Sequence, residues 1–363
     1  MSDPVGPPLP ARPGAAAGAR VFLSGVRSRS HLLHVAAYLR YLSETAGVGH
    51  VHLVDLGLGA FLGEPRVTPA DMDTRLPIGP RLSLVHASGP ADWRARPGES
   101  LVYLAIGAPG IKPYLRLRLV NRRRLQVVVV DEGLGSYGGW RARWAAFRRQ
   151  GGRGACALVR AVAVSTAARR LTDDRWALYR PGPTGWQLDP RIAAEFRARL
   201  PLSVGAASPD TAVLISQPWV ELGQLSAGRY TAVLRGVQAA CAAAGLALLV
   251  RPHPAENPSH FDGLPVTSSS DPAELDRAVV DAGVVLGFNS TALVNLAAVY
   301  GTPVLRVAMP ELAAVEAGMS SAQRSLLDAF LPPPVPIDEL PAQMRALVGS
   351  VSPTGTGIAE ASR

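Results

Sequence analysis

The chain has 363 residues, about two domains at roughly 150 residues each, which argues against a single small binding module. With 48% hydrophobic and 18% charged residues and a mean hydropathy of +0.15, it can bury a sizeable core and is expected to be globular rather than disordered. The net charge of +9 is carried by arginine, Lys112 being the only lysine; guanidinium groups stay charged at physiological pH, so acidic ligands or surfaces are expected partners.

Residues 1–18 lack the charged start and continuous apolar segment of a signal peptide and read as a disordered lead-in. Apolar, β-branched runs then alternate with helical patterns, the signature of a parallel α/β sheet. Strands are expected at 20–24, 51–55, 100–106, 125–130 and 161–165. A helix is expected over 31–44, where Leu32, Val35, Tyr38, Leu39 and Leu42 recur at helical spacing. Residues 201–209, rich in Pro, Gly and Ser, read as a linker between a domain over 19–205 and a second over 206–345. In the second, strands are expected at 211–216, 246–251, 284–288 and 303–307, with helices at 230–244 and 291–300. A stiff run of prolines at 332–336 precedes a short helix over 337–348, and 346–363 read as a flexible tail. The predicted fold is α/β: two doubly wound, Rossmann-like domains facing a central cleft, with chemistry in the loops that leave the strands. Residues 284–305 are long enough to span a bilayer. Asn289, Ser290, Thr291, Asn295, Gly301 and Pro303 break that run, and a cytoplasmic protein is expected.

Three strand ends carry candidate chemistry. Val127 to Val130 stop at Asp131-Glu132-Gly133, with Tyr137 close behind. Neighbours on an extended backbone point to opposite sides, so one acid is read as chemical and the other as structural; a solvated turn is the competing reading. The strand ending at Arg251 leads into Pro252-His253-Pro254, where two prolines restrict an imidazole able to supply charge or a proton near neutral pH. The strand ending near Phe288 leads into Asn289-Ser290-Thr291, a helix start whose hydroxyls and N–H groups could bind phosphate or simply cap the helix.

Taken in order, these islands resemble the bacterial sialyltransferases, most closely the polysialyltransferase-like group. That group shares an acidic-acidic-glycine motif, a His-Pro motif and a paired Ser/Thr motif, and Gln217-Pro218 is similar to it as well. The resemblance spans roughly residues 20 to 310 by motif order. It implies a GT-B fold and an inverting, metal-independent transfer from a CMP-activated nonulosonic acid such as CMP-sialic acid, with no further cofactor. By motif, Asp131 is the general base on the acceptor hydroxyl with Glu132 in support, and His253 binds or protonates the departing phosphate. Ser290 and Thr291 hold that phosphate, and Gly133, Gln217, Pro254 and Asn289 complete the donor site. The loop Gly25-Val26-Arg27-Ser28-Arg29-Ser30 departs from the family by lacking a Thr-Pro-Leu-Gln type of sequence.

Other features are read as incidental. Asp71-Met72-Asp73 has the spacing of a metal-binding aspartate pair but sits in what reads as a Pro-rich loop without partners. His31 with His34, and His50 with His52, read as core or surface histidines. Cys156 and Cys241, the only two cysteines, read as reduced core thiols. Lys112, Arg116, Arg118 and Arg122 to Arg124 precede the acid motif; Arg141, Arg143, Arg148 and Arg149 follow it. They read as solvated helix faces, or as a track for an anionic glycan or for acidic lipid headgroups at the inner face of a membrane. No nucleic-acid module accompanies them. Two other functions fit the same residues: a non-catalytic nucleotide- or acidic-glycan-binding protein of polysaccharide assembly, and a GT-B transferase using a UDP-sugar.

Overall fold

The computed structural model describes residues 18–45, 47–61, 64–65, 67–131, 133–149, 151–200, 209–269 and 271–351. Glu132, residues 1–17 of the expected lead-in, residues 201–208 of the expected linker and the tail beyond Val351 lie outside the described residues.

The first unit contains, in chain order, β1 (Gly18–Ser24), α1 (Arg29–Arg40), β2 (Val51–Asp55), α2 (Pro69–Arg75), β3 (Leu82–His86), β4 (Glu99–Ile106), α3 (Ile111–Asn121), β5 (Gln126–Val130), α4 (Trp140–Arg149), α5 (Gly154–Leu171) and β6 (Asp174–Trp176). The six strands form one parallel sheet in the order β3-β2-β1-β4-β5-β6, the doubly wound Rossmann arrangement. Its strands are continuous apolar runs because helices cover the sheet: Val127 to Val130 are all buried. On α1, Leu32, Val35, Tyr38 and Leu39 are fully buried at the expected spacing, and a wider π turn extends the helix over Tyr41–Thr45.

An antiparallel hairpin of β7 (Tyr179–Gly182) and β8 (Gly185–Leu188) follows. Next comes α6 (Pro190–Arg199), started by Pro190 in its first turn and by Asp189, whose side chain accepts the Arg191 N–H. The second sheet comprises β9 (Thr211–Ile215), β10 (Ala247–Arg251), β11 (Val284–Gly287) and β12 (Val304–Arg306), with α7 (Ala227–Ala243) between β9 and β10 and α8 (Thr291–Asn295) between β11 and β12. It is parallel, in the order β10-β9-β11-β12. Then α9 (Ser321–Phe330) crosses back to the first unit, and α10 (Leu340–Val351) packs on α7, with Met344 against Cys241.

Chain direction across each sheet reverses once, between β1 and β4 in the first and between β9 and β11 in the second. Such reversals open a crevice at the carboxyl ends of the strands, where ligands bind. A continuous apolar cluster links Val21 and Leu23 of the first sheet with Val213 and Val285 of the second through Phe196 of α6 and Leu326 of α9. The chain is therefore α/β, built from two Rossmann-like domains in the GT-B manner.

Several expectations are corrected. Residues 161–165 lie inside α5, and Asp174–Trp176 supplies the sixth strand by pairing with β5. The Ala-Val alternation there suggests a strand, but Ala157 and Ala161 are buried at helical spacing while Val162 is exposed; alanine-rich propensity over 18 residues prevails. Cys156 is exposed on that helix, whereas Cys241 is buried as expected. Asp71 and Asp73 belong to α2 rather than to a loop. Asp71 completes a capping box with Thr68 and pairs with Arg29 at 2.9 Å, so Arg29 of the loop after β1 is engaged in structure. Residues 284–305 form a strand, helix and strand, and no described helix is long and apolar enough to cross a membrane.

Candidate active site

Strand β5 delivers Asp131 to the carboxyl edge of the first sheet with 2% of its surface exposed. Its Oδ1 accepts the Gly133 N–H at 2.9 Å and its Oδ2 accepts the Tyr137 hydroxyl. Burial and the neighbouring carboxylate push the Tyr137 phenol up, so it remains a donor. Gly133 has φ +94°, a conformation suited to glycine. A Cβ there would stand 2.5 Å from Thr291 Oγ1 of the second domain, and the next residue's N–H, on Leu134, donates to that same oxygen at 3.0 Å. From α9, Gln323 Nε2 donates to the Leu134 carbonyl at 2.9 Å and Ser320 Oγ to the Tyr137 carbonyl at 3.0 Å. The acidic-glycine turn and the Ser-Thr helix start, 157 residues apart, thus meet across the cleft.

The loop after β10 is organised by a residue the motif reading passed over. Glu256 is buried and accepts the His253 N–H at 2.6 Å, the Tyr230 hydroxyl at 2.6 Å and the Ser216 hydroxyl. Burial raises its carboxyl above the usual range, while the hydrogen bonds oppose that shift. The Ala255 N–H donates to His253 Nδ1 at 3.1 Å, which leaves the proton of the neutral ring on Nε2. Pro254 is exposed. Because Ser216 and Gln217 follow β9, next to β10 in the sheet, they share this edge with His253. Gln217 Oε1 is buried without a hydrogen-bond partner.

At the third motif, Ser290 caps α8 by accepting the Ala292 N–H at 3.2 Å, and Asn289 Nδ2 donates to Glu316 at 2.7 Å. Capping, the simpler reading of Ser290, is what its hydroxyl does here, while Thr291 reaches the opposite domain. Below this contact a second polar bridge joins the domains. The Tyr179 hydroxyl donates to Asn295 Oδ1 at 2.7 Å, and Asn295 Nδ2 donates to the fully enclosed Glu274 at 2.8 Å. Glu274 and Asn295 were not legible as a pair, since they stand 21 positions apart in the chain and neither belongs to a motif.

His31 and His34 are buried in α1. Burial, then His34 and Arg27, lower His31 to about 3; burial also lowers His34, against the pull of Asp131. His50 and His52 lie with ring centroids 4.3 Å apart and ring planes tilted by 48°, and each is within hydrogen-bond reach of Ser83. Among the described residues no cluster of three or more His, Cys, Asp or Glu side chains is placed to hold a metal. A cavity of about 270 Å³ lies against Leu33, Thr74, Arg75, Arg199 and Leu275, and no motif residue lines it.

No protein-family model matches the chain, and no curated protein does. Among solved structures it is similar to the glycotransferase of kitacinnamycin, at 13% identity over 92% of this chain and 90% of that one with a TM-score of 0.44. It is similar also to a UDP-glucose:anthocyanidin 3-O-glucosyltransferase in complex with UDP, at 11% over 94% and 96% with 0.45, and to an E. coli heptosyltransferase with ADP, at 12% over 90% and 99% with 0.38. Likeness at this level assigns neither chemistry nor ligand to the chain.

Proposed function

We propose that the protein is an inverting, metal-independent glycosyltransferase of the GT-B type, moving sialic acid or a related nonulosonic acid from a CMP-activated donor to a glycan acceptor. The observation that carries this reading is the meeting of Gly133 and Leu134 with Thr291, which brings the acid turn of one domain against the Ser-Thr helix start of the other. An oxocarbenium-like centre needs a base on the acceptor side and stabilisation of the leaving group on the other, and the two facing edges carry residues of both kinds.

In this reading the acceptor hydroxyl oxygen bonds to the anomeric carbon as the bond to the CMP phosphate oxygen breaks. The resemblance assigns the base to Asp131. Each of its oxygens accepts one hydrogen bond, from the Gly133 N–H and the Tyr137 hydroxyl, and keeps a lone pair that can take the acceptor hydroxyl proton, with Glu132 in support. The leaving phosphate accepts a hydrogen bond from the Nε2–H of His253, whose tautomer the Ala255 N–H supports. The Ser290 and Thr291 hydroxyls, Asn289 and the Gln217 amide complete the donor side, with Gly133 and Pro254 shaping the two turns.

The test is transfer from CMP-sialic acid by wild type, Glu132→Gln, Asp131→Asn and His253→Ala, with folding checked by circular dichroism. Loss of a general base lowers turnover by about 10²- to 10⁴-fold, expected for Asp131→Asn, and His253→Ala is expected to lower turnover in folded protein as well. Asp131→Asn is expected to lose stability as well as rate. Full activity in both Asp131→Asn and His253→Ala would overturn the mechanism.

A further inference from the structure

The stretch that leaves the acid turn is strongly basic. From Trp140 to Leu171 the sequence carries eight arginines and neither aspartate nor glutamate. It folds as α4 and α5, which pack against one another. No described side chain of α4 is buried, and the buried residues of α5 are the small Ala157, Ala161 and Ala167.

The large apolar side chains of this pair face outward. Trp140 and Trp144, one turn apart on α4, are 41% and 36% exposed, and on α5 Leu158, Val159 and Val162 are 37%, 67% and 44% exposed. Arginines border these stripes: Arg141 lies over the Trp140 ring at 5.3 Å and Arg160 over Phe147 at 4.5 Å. At the turn between the helices a cavity of about 330 Å³ is lined by Phe147, Cys156 and the paired Arg153 and Arg160. Nearby in the chain, α3 presents Ile111, Leu115 and Leu119 to solvent beside Lys112 and Arg116.

We propose that the α4–α5 pair docks the protein on an anionic lipid bilayer. Exposed aromatic and aliphatic residues beside arginine, with acidic groups absent from the run, match the chemistry of a helix lying in a membrane interface, where rings and alkyl groups enter the acyl boundary and guanidiniums meet phosphates. An acidic glycan would use the arginines but has no use for Leu158, Val159 and Val162. A second copy would bring eight more arginines to the same surface, an arrangement that like charge opposes. The cavity between Arg153 and Arg160 has the size and charge for a lipid phosphate headgroup. Because α4 begins three residues after Tyr137, docking would bring the candidate site to the membrane surface. The inference rests on the surface alone and stands or falls independently of the donor.

The test is co-sedimentation of the full chain with phosphatidylcholine vesicles with and without phosphatidylglycerol. Binding is expected to the anionic vesicles only and to weaken as salt rises. Each arginine near a charged surface contributes about fivefold to affinity, so Arg148→Glu with Arg160→Glu is expected to weaken binding by at least about tenfold. Trp144→Ser with Val159→Ser, a neutral change at exposed positions, is also expected to weaken it. Equal binding to neutral vesicles, or wild-type binding by both variants, would overturn the proposal. So would a wild-type chain that ignores vesicles but binds heparin or dimerises through these residues.

Discussion

Gly133 is the residue on which the cleft closes, because it combines φ +94° with a Thr291 side chain where its own Cβ would be. Gly133→Ala is expected to cost about 1–3 kcal/mol from backbone strain alone and to abolish transfer. Adding Thr291→Ala should restore only the steric part, which paired urea denaturation of the single and double variants would reveal. At Asp131, Tyr137→Phe removes the donor to a buried oxygen, and its expected cost is about 1–3 kcal/mol by the same measurement. Acid sensitivity is a residue property too. Unfolded His31 takes up its proton near pH 6.5, while in the folded protein it resists protonation down to about 3. Between those values the unfolded state binds the extra proton, so stability falls on acidification, by up to about 1.4 kcal/mol per pH unit for one histidine. Buried Glu256 and Glu274, with raised carboxyls, act in the opposite direction. They do so equally in wild type and His31→Gln, so the variant should show a flatter decline between pH 6.5 and about 4.5; identical slopes would refute this. The acid pair, His253 and the Ser-Thr pair were all legible because each interrupts an apolar strand. Glu256 was not singled out, since its partners Ser216 and Tyr230 come from other elements.

Among the elements, four of the six strands of the first sheet, β1, β2, β4 and β5, were readable from β-branched runs; β3 was not, because Leu82–His86 exposes its end at the sheet edge and carries Ser83 and His86. β6 escaped for the same reason, having three residues, of which only Trp176 is buried. The exposure of α4 and α5 also misled, for a helix that buries only alanines carries no long apolar stripe on its inner face. Neither α6 nor α9 signals from sequence that it joins two domains. Arg197 of α6 donates twice to the Val299 carbonyl, at 2.9 and 2.7 Å, and α9 holds the acid turn through Ser320 and Gln323. Between them lies the Tyr179–Asn295–Glu274 bridge. Asn295→Leu would leave a phenol and an enclosed carboxyl without their shared partner. The expected loss is about 3 kcal/mol, read as a lowered denaturation midpoint; an unchanged midpoint would mean the bridge contributes little.

For the whole molecule, the three motifs follow the carboxyl ends of parallel strands in the two sheets, where side chains and backbone N–H groups stand free of the sheet. Motif order along the chain could not reveal that Thr291 touches the Gly133 turn directly. The donor is the central claim, and calorimetric titration of CMP and UDP into wild type and His253→Ala tests it most directly. Wild type is expected to bind CMP in preference to UDP, and His253→Ala to lose this binding. Preference for UDP would contradict the donor assignment, and failure to bind either nucleotide would contradict the transferase itself.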